Sequence, residues 1–211
     1  MKKKLLIFLL VSLANVWIWR IIGSSPFLGL SIIILSFLLA FNLKIPSLIL
    51  LAILGAFLLR TNFDTNLLYV SPFEKDKLEL RHEYYAQGLG KIYRNRIGIY
   101  LDYKVFPHTS RFINNLAYNM DPNLYFFANH PRERVGVVEF EKFSYLLLPF
   151  FVIGLIPVLL GLSDFLILYF ILSLLISAFV FPGYNLGSIL IFPFIVAVIY
   201  LGILKIVRRW I

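Results

Sequence analysis

The chain has 211 residues, 60% of them hydrophobic and 15% charged, with a mean hydropathy of +0.86. A soluble domain is about half apolar with roughly a quarter of its residues charged, so this composition excludes an ordinary soluble enzyme, a disordered tail and a nucleic-acid-binding domain, and points to a multi-pass membrane protein. The net charge of +9 is concentrated at the ends, in Lys2, Lys3 and Lys4 and in Lys205, Arg208 and Arg209, where positive-inside bias and anionic headgroups account for it.

Residues 5–22 form the first apolar segment, with Trp17 and Trp19 suited to the far interface and Arg20 placed to snorkel. Its start resembles a secretory signal with Ser12-Leu13-Ala14 as a cleavage site, but the apolar run continues past Ala14, which favours an uncleaved anchor. Residues 27–41 and 45–59 follow as a pair broken at Asn42-Leu43-Lys44-Ile45-Pro46. Each arm is about 22 Å long as a helix, short for a hydrocarbon core of about 30 Å. The pair therefore either crosses with local thinning or forms a re-entrant hairpin, and both return the chain to the same side. Three further segments, 145–162, 165–181 and 186–204, complete a 3+3 arrangement.

With the N-terminus held inside, six segments bring the basic C-terminus back inside as well. The organisation expected is therefore an all-α membrane protein: N-terminal segments in 1–59, an extracytoplasmic insert at 60–143 and C-terminal segments in 144–211. The location expected is the plasma (inner) membrane, with both termini cytoplasmic. Small residues four apart, Ala52 with Ala56 and Ser173 with Ser177, are read as helix-packing faces, and Asn15 as a hydrogen-bonding residue between helices. Pro149, Pro157 and Pro193 are candidate kinks. The spans carry no ionisable residue near mid-depth, so a small-molecule transporter is the third reading, for an apolar or neutral cargo.

The insert is too long and too patterned for a bare loop. Its 12 Lys and Arg stand against 10 Asp and Glu, dispersed rather than clustered, which does not make a nucleic-acid face. Ser71-Pro72-Phe73-Glu74 is a capping box with proline at the first helical position, predicting a helix over 72–87 stopped at Gly88. The stretch 89–105 is read as helix, with Leu89, Ile92, Tyr93, Ile97, Tyr100 and Leu101 on one face. Alternation of Ile97, Ile99, Leu101, Tyr103 and Val105 leaves a strand open. A third helix over 110–120 gathers Phe112, Ile113, Leu116, Ala117 and Met120. The aromatic residues between Tyr84 and Phe127 suit a small core at a headgroup interface, or else a stacking platform for a carbohydrate.

The sharpest polar cluster is Asn129-His130-Pro131-Arg132-Glu133-Arg134. Asn129, Arg132 and Arg134 are the candidate phosphate- or lipid-binding residues, because an arginine fork grips phosphate bidentately. His130 and Glu133 are the candidate acid/base groups. The competing reading has the two arginines on ordinary headgroups or paired with Glu133, Glu139 or Glu141. There is no cysteine, which excludes thiolate metal sites and thiol nucleophiles. His82, His108 and His130 lack metal-ligand spacing, Gly88-Leu89-Gly90 is not a phosphate loop, and no metal or cofactor is expected.

The stretch from His82 to about Phe151, above all FFANHPRERVGVVEFEKF at 126–143, resembles a segment of uncharacterised bacterial multi-pass envelope proteins. A looser similarity, of many spans with outside loops, is to the polyprenyl-phosphate-dependent (C-type) glycosyltransferases. That resemblance implies an acidic catalytic residue in the first outer loop, whereas Arg20 to Pro26 contains no Asp or Glu. The function expected is an accessory or scaffold protein of the cell envelope that presents an outside helical domain to lipid or to a membrane-protein partner. The alternative is an enzyme acting on a lipid-linked phosphate or sugar, with an anionic or polyprenyl-linked lipid as its partner.

Overall fold

The computed structural model describes residues 2–90, 95–127, 142–180 and 186–209. Among the described residues every regular element is a helix, and Phe63 and Val180 pair as an isolated antiparallel bridge. The helices are α1 (Lys2–Leu13), α2 (Val16–Ser24), α3 (Pro26–Ala40), α4 (Lys44–Asn62), α5 (Pro72–Leu89), α6 (Arg96–Tyr100), α7 (Phe106–Met120), α8 (Asn123–Phe126), α9 (Leu148–Pro157), α10 (Asp164–Phe179) and α11 (Phe192–Arg209).

The first apolar segment is two helices, bent by 70° between α1 and α2. Asn15 closes both ends at the bend. Its Oδ1 accepts from the Ile18 N–H at 2.9 Å, and its Nδ2 donates to the carbonyls of Val11 at 3.2 Å and Ser12 at 2.8 Å. One amide thus satisfies the free donor of one helix start and the free acceptors of another helix end.

The break between α3 and α4 falls where Asn, Lys and Pro predict it, with Asn42 in the left-handed region at φ 59, which Asn tolerates better than most residues. The helix α4 is longer than the sequence pattern suggests. Its 19 residues reach about 28 Å, close to the width of a hydrocarbon core, whereas α3 keeps 15.

Pro149 and Pro193 do not kink anything. Both lie in the first turn of their helices, where no backbone donor is required. Pro157 does interrupt α9: a π-helical turn, Val158–Leu162, follows it and breaks helical geometry at Gly161, φ 77, as expected where proline removes a ladder hydrogen bond. The chain then turns by 104° into α10.

The helix α11 is the axis of the bundle, with α1, α3 and α9 packed on it. In Ile189–Val207, 72% of the most apolar stretch is buried, against 28% in α4. A helix apolar all round is either a core helix or a span, and α11 is enclosed by its neighbours. By contrast, α4 turns Ile45, Ile49, Ile53 and Phe57 outward in an unbroken i, i+4 stripe.

Two helices, Lys44–Asn62 and Ile189–Val207, are long and apolar enough to cross a membrane. The number rises to four if each of the bent pairs, Lys2–Leu13 with Val16–Ser24 and Tyr145–Gly161 with Asp164–Phe179, makes one span.

Ser173 and Ser177 of α10 are buried, as their spacing suggests. Ala52 and Ala56 are exposed. The packing face of α4 is instead Leu51, Leu54, Gly55 and Leu58, because Gly55 lets Ile176 of α10 come in where a Cβ would stand 2.9 Å from its Cδ1.

Candidate functional site

The five residues singled out in the sequence, Asn129, His130, Arg132, Glu133 and Arg134, lie outside the described residues. The described residues on either side of that segment meet each other. Phe127 caps the end of α8, and Phe143 donates its N–H to the Tyr125 carbonyl at 2.8 Å. One residue earlier, the Lys142 ammonium donates to the Leu124 carbonyl at 2.7 Å. Departure and return are therefore pinned to each other.

Lys142 is 5% exposed, unusual for a lysine. Its Nζ lies 5.6 Å from the Trp17 ring centre and 5.9 Å from that of Tyr125, within reach of a cation–π attraction. Its stem passes under Gly187, where a Cβ would stand 3.1 Å from the lysine Cε. Around it, Trp17 meets Phe143 and Phe192 edge-on and donates its indole N–H to the Leu186 carbonyl at 2.6 Å. A carbonyl and aromatic faces are among the groups that meet this buried lysine in place of water. A notch of about 430 Å³ opens beside it, lined by Asn15, Val16, Trp19 and Ser144 among others. The sequence conceals this role, because Lys142 reads as one more charge in Glu139-Phe140-Glu141-Lys142.

The second feature is a cavity of about 250 Å³ between the end of α7, α8, α9, α10 and α11. Its wall is hydrocarbon apart from Asn119 and Tyr125. The Tyr125 hydroxyl donates to the Asn119 carbonyl at 2.7 Å, and burial pushes its phenol far above the usual range, so it remains a donor. Ser188 Oγ donates to Asn119 Oδ1. Asn119 Nδ2 is buried and has no partner.

Of the apolar residues grouped on α7, Ile113 and Met120 are 56% and 51% exposed. The buried residues of α7 are Asn115 and Asn119. Asn115 Nδ2 donates to Asp64 Oδ2 at 3.2 Å and to the Ala178 carbonyl at 3.1 Å. Asp64 in turn donates its N–H to the Phe179 carbonyl at 2.9 Å. The side-chain partners of the two amides, Asp64 just past α4 and Ala178 of α10 for Asn115 and Ser188 ahead of α11 for Asn119, are far away in sequence, so hydropathy periodicity misses them.

The helix prediction for 96–105 holds: α6 continues through a π-helical turn, Leu101–Val105, into α7. The capping box at Ser71 is formed in both directions, with Ser71 N–H donating to Glu74 Oε2 at 2.9 Å and Glu74 N–H to Ser71 Oγ at 3.3 Å. The helix α5 ends two residues beyond the expected stop, on Gly90 at φ 65.

Arg111 of α7 clasps the start of α5. It donates to Glu74 Oε1 and to the Tyr69 carbonyl, each at 2.5 Å, and to the Asn66 carbonyl. His108 Nδ1 meets the Leu67 carbonyl at 2.5 Å. The Arg111 hydrogen bond, then that of the Ser71 N–H, holds the Glu74 carboxylate down at about 2, from an ordinary 4.5. A depressed carboxylate favours the folded clasp above its ordinary value, and the clasp is lost as pH falls through 2. In a side-chain NMR titration, Glu74 should titrate near 2 and move toward 4.5 in Arg111→Ala. A wild-type midpoint at 4.5 would show that the clasp does not hold the carboxylate.

Among the described residues no three His, Asp or Glu side chains converge as a metal site would require. His82 stacks at a tilt on Tyr103, 5.7 Å between ring centres, and His108 is taken up by Leu67. Compared with protein-family models, with curated proteins and with solved structures, the chain matches none.

Proposed function

We propose that the chain is a multi-pass integral membrane protein of the bacterial cell envelope, an accessory or scaffold protein that presents residues 60–143 outside the cytoplasm to lipid or to a protein partner. The observation that carries this reading is the contrast between α4 and α5. The outward stripe of α4, Ile45, Ile49, Ile53 and Phe57, is an apolar surface that water does not tolerate and lipid satisfies. The helix α5 is charged and largely exposed, and presents Phe73, Leu80 and Tyr84 on one face, with Lys77 Nζ 4.3 Å over the Phe73 ring. Aromatic and basic groups on one exposed helix suit an anionic headgroup surface or a partner helix. In this reading all six apolar segments engage the membrane, and both basic termini are cytoplasmic.

The absence of native cysteine makes the topology directly testable. Gln87→Cys should react with a membrane-impermeant maleimide added to intact cells, and Lys3→Cys only after lysis. The reverse pattern would overturn the outside assignment of the insert.

A second reading is favoured by the pinning of Tyr125 to Phe143 beside the buried Lys142. A segment held at both ends there carries Arg132 and Arg134 as clamps for a lipid-linked phosphate, with His130 or Glu133 as acid/base. Native mass spectrometry of the gently solubilised protein separates the two. A lipid-linked phosphate that co-purifies and is lost in Arg132→Ala/Arg134→Ala supports the enzyme or lipid-carrier reading. A co-purifying protein indifferent to those changes, without selective lipid, supports the scaffold.

A further inference from the structure

The helix α7 is inside out for a helix in water. Phe106, Ile113, Ala117 and Met120, spaced i, i+7, i+11 and i+14, form one stripe, and all four are exposed. Thr109, Ser110 and Asn114 beside them are exposed too and carry no charge. The strongly polar side chains point the other way. His108 meets the Leu67 carbonyl, Arg111 clasps Glu74, Asn115 reaches Asp64 and Ala178, and Asn119 accepts from Ser188. A helix facing water turns its apolar stripe to the core and its polar groups to solvent. In hydrocarbon the preference reverses, because every polar group has to find its partner inside the protein.

The position of α7 agrees with that pattern. The helix α4 is long and apolar enough to cross a membrane, and α10 packs on it, with Ile176 seated at Gly55. The two helices end side by side: Asp64, just past α4, donates its N–H to the carbonyl of Phe179, the last residue of α10. At that level α7 meets α10. Phe112 lies 4.8 Å from Phe179 between ring centres, and Asn115 bonds the Ala178 carbonyl. From there α7 runs back along α10, and its last residues, Asn119 and Met120, share a cavity wall with Ile167 and Phe170. The helical rise from Phe112 to Met120 is about 12 Å, more than a third of a hydrocarbon core of about 30 Å. At its far end the stripe is continuous with the exposed Leu159 beyond α9, which lines the same wall as Met120.

We propose that α7 is itself a membrane contact: it enters the leaflet on the insert's side, alongside α10, and lays Ile113, Ala117 and Met120 against lipid acyl chains. Arg111 and His108 remain at headgroup level, where their partners lie between the end of α4 and the first turn of α5. This inference rests on the reading of α4 and α10 as membrane segments. It adds to them a part of the insert that composition alone places clear of the bilayer.

The test uses the full chain, which has no native cysteine, in phosphatidylcholine nanodiscs with both faces open to reagent. Ala117→Cys and Ile113→Cys report on the stripe of α7. Ile53→Cys on the outward stripe of α4 and Gln87→Cys on α5 are the lipid and water references. Both α7 variants should react with a charged maleimide at least about tenfold more slowly than Gln87→Cys, because the thiolate that reacts is disfavoured in hydrocarbon. A bimane attached at Ala117→Cys before reconstitution should be quenched by lipid carrying a nitroxide on its acyl chain, nearly as strongly as at Ile53→Cys. The same label at Gln87→Cys should not be quenched. Rapid reaction at Ala117→Cys with Ile53→Cys protected would overturn the proposal and leave the membrane reading standing. Slow reaction without quenching would mean that protein covers the stripe, and would equally overturn it. Rapid reaction at Ile53→Cys as well would bring down the membrane reading itself, and this inference with it.

Discussion

Alanine at Gly154 or Gly202 is expected to unfold the bundle, or to lower its stability by about 3 kcal/mol or more, at the upper end of what overpacking a core costs. These two glycines are where α9 crosses α11. A Cβ on Gly154 would stand against the Val198 carbonyl oxygen, well inside contact distance, and 2.9 Å from the Gly202 nitrogen. A Cβ on Gly202 would meet the Phe150 carbonyl oxygen equally closely, and would stand 3.0 Å from the Gly154 nitrogen. The obstructing atoms are backbone, so no rotamer change relieves the clash, and the helices must separate. Separation would strip contacts from α11, where Ala197 and Val198 are wholly buried. Close backbone approach through small residues is how helices gain dispersion and Cα–H···O contacts where lipid removes the hydrophobic incentive to associate. The measurement is thermal unfolding of the solubilised protein beside Gly88→Ala, where a Cβ would meet nothing within 4 Å. Equal melting of Gly154→Ala and Gly88→Ala would show that α9 and α11 do not cross this closely.

The same pair shows why packing was only partly legible in the sequence. A search for small residues four apart along one helix finds Ala52 with Ala56 and Ser173 with Ser177, and the bundle buries only the serines. Gly154 and Gly202 are each alone on their helices, and their pairing exists only across the crossing. Local signals fared better. The Ser71 capping box, the Asn42 turn and the apolar lengths of α3 and α10 follow from chemistry within a few residues, and the structure has them at nearly the predicted positions, whereas α11 begins six residues later than the expected start at 186.

What hydropathy inverted was polar burial. Asn115, Asn119 and Lys142 look like surface residues, because the groups that receive them, Asp64, Ala178, Ser188 and Leu124, belong to other elements. Charge and motif drew attention instead to Asn129–Arg134. The residues that tie that segment to the bundle, Tyr125, Lys142 and Phe143, carry no such signal.

Trp17→Ala is expected to cost about 3–5 kcal/mol, the range for deleting a large buried aromatic side chain. Both tryptophans of the first segment suit an interface by composition, and the structure separates them. Trp19 is 58% exposed and donates to the Leu13 carbonyl of its own segment at 2.9 Å. Trp17 is wholly buried and ties α2 to three distant pieces of chain: Tyr125 of α8, Phe143 ahead of α9, and Phe192 of α11. Its indole also meets the Leu186 carbonyl, ahead of α11. Removing it leaves a cavity, an unpaired buried carbonyl and a lysine with one aromatic face fewer, three losses that share a centre and so do not simply add. Trp17→Phe keeps most of the ring contacts and forfeits the indole hydrogen bond, and should cost about 1–3 kcal/mol, the penalty of a buried acceptor left unpaired. Trp19→Ala, at an exposed ring, should cost about 1 kcal/mol or less. Equilibrium unfolding in mixed micelles orders the three variants. Equal losses for Trp17→Ala and Trp19→Ala would place both rings at the interface, and would remove Trp17 from the aromatic shell around Lys142.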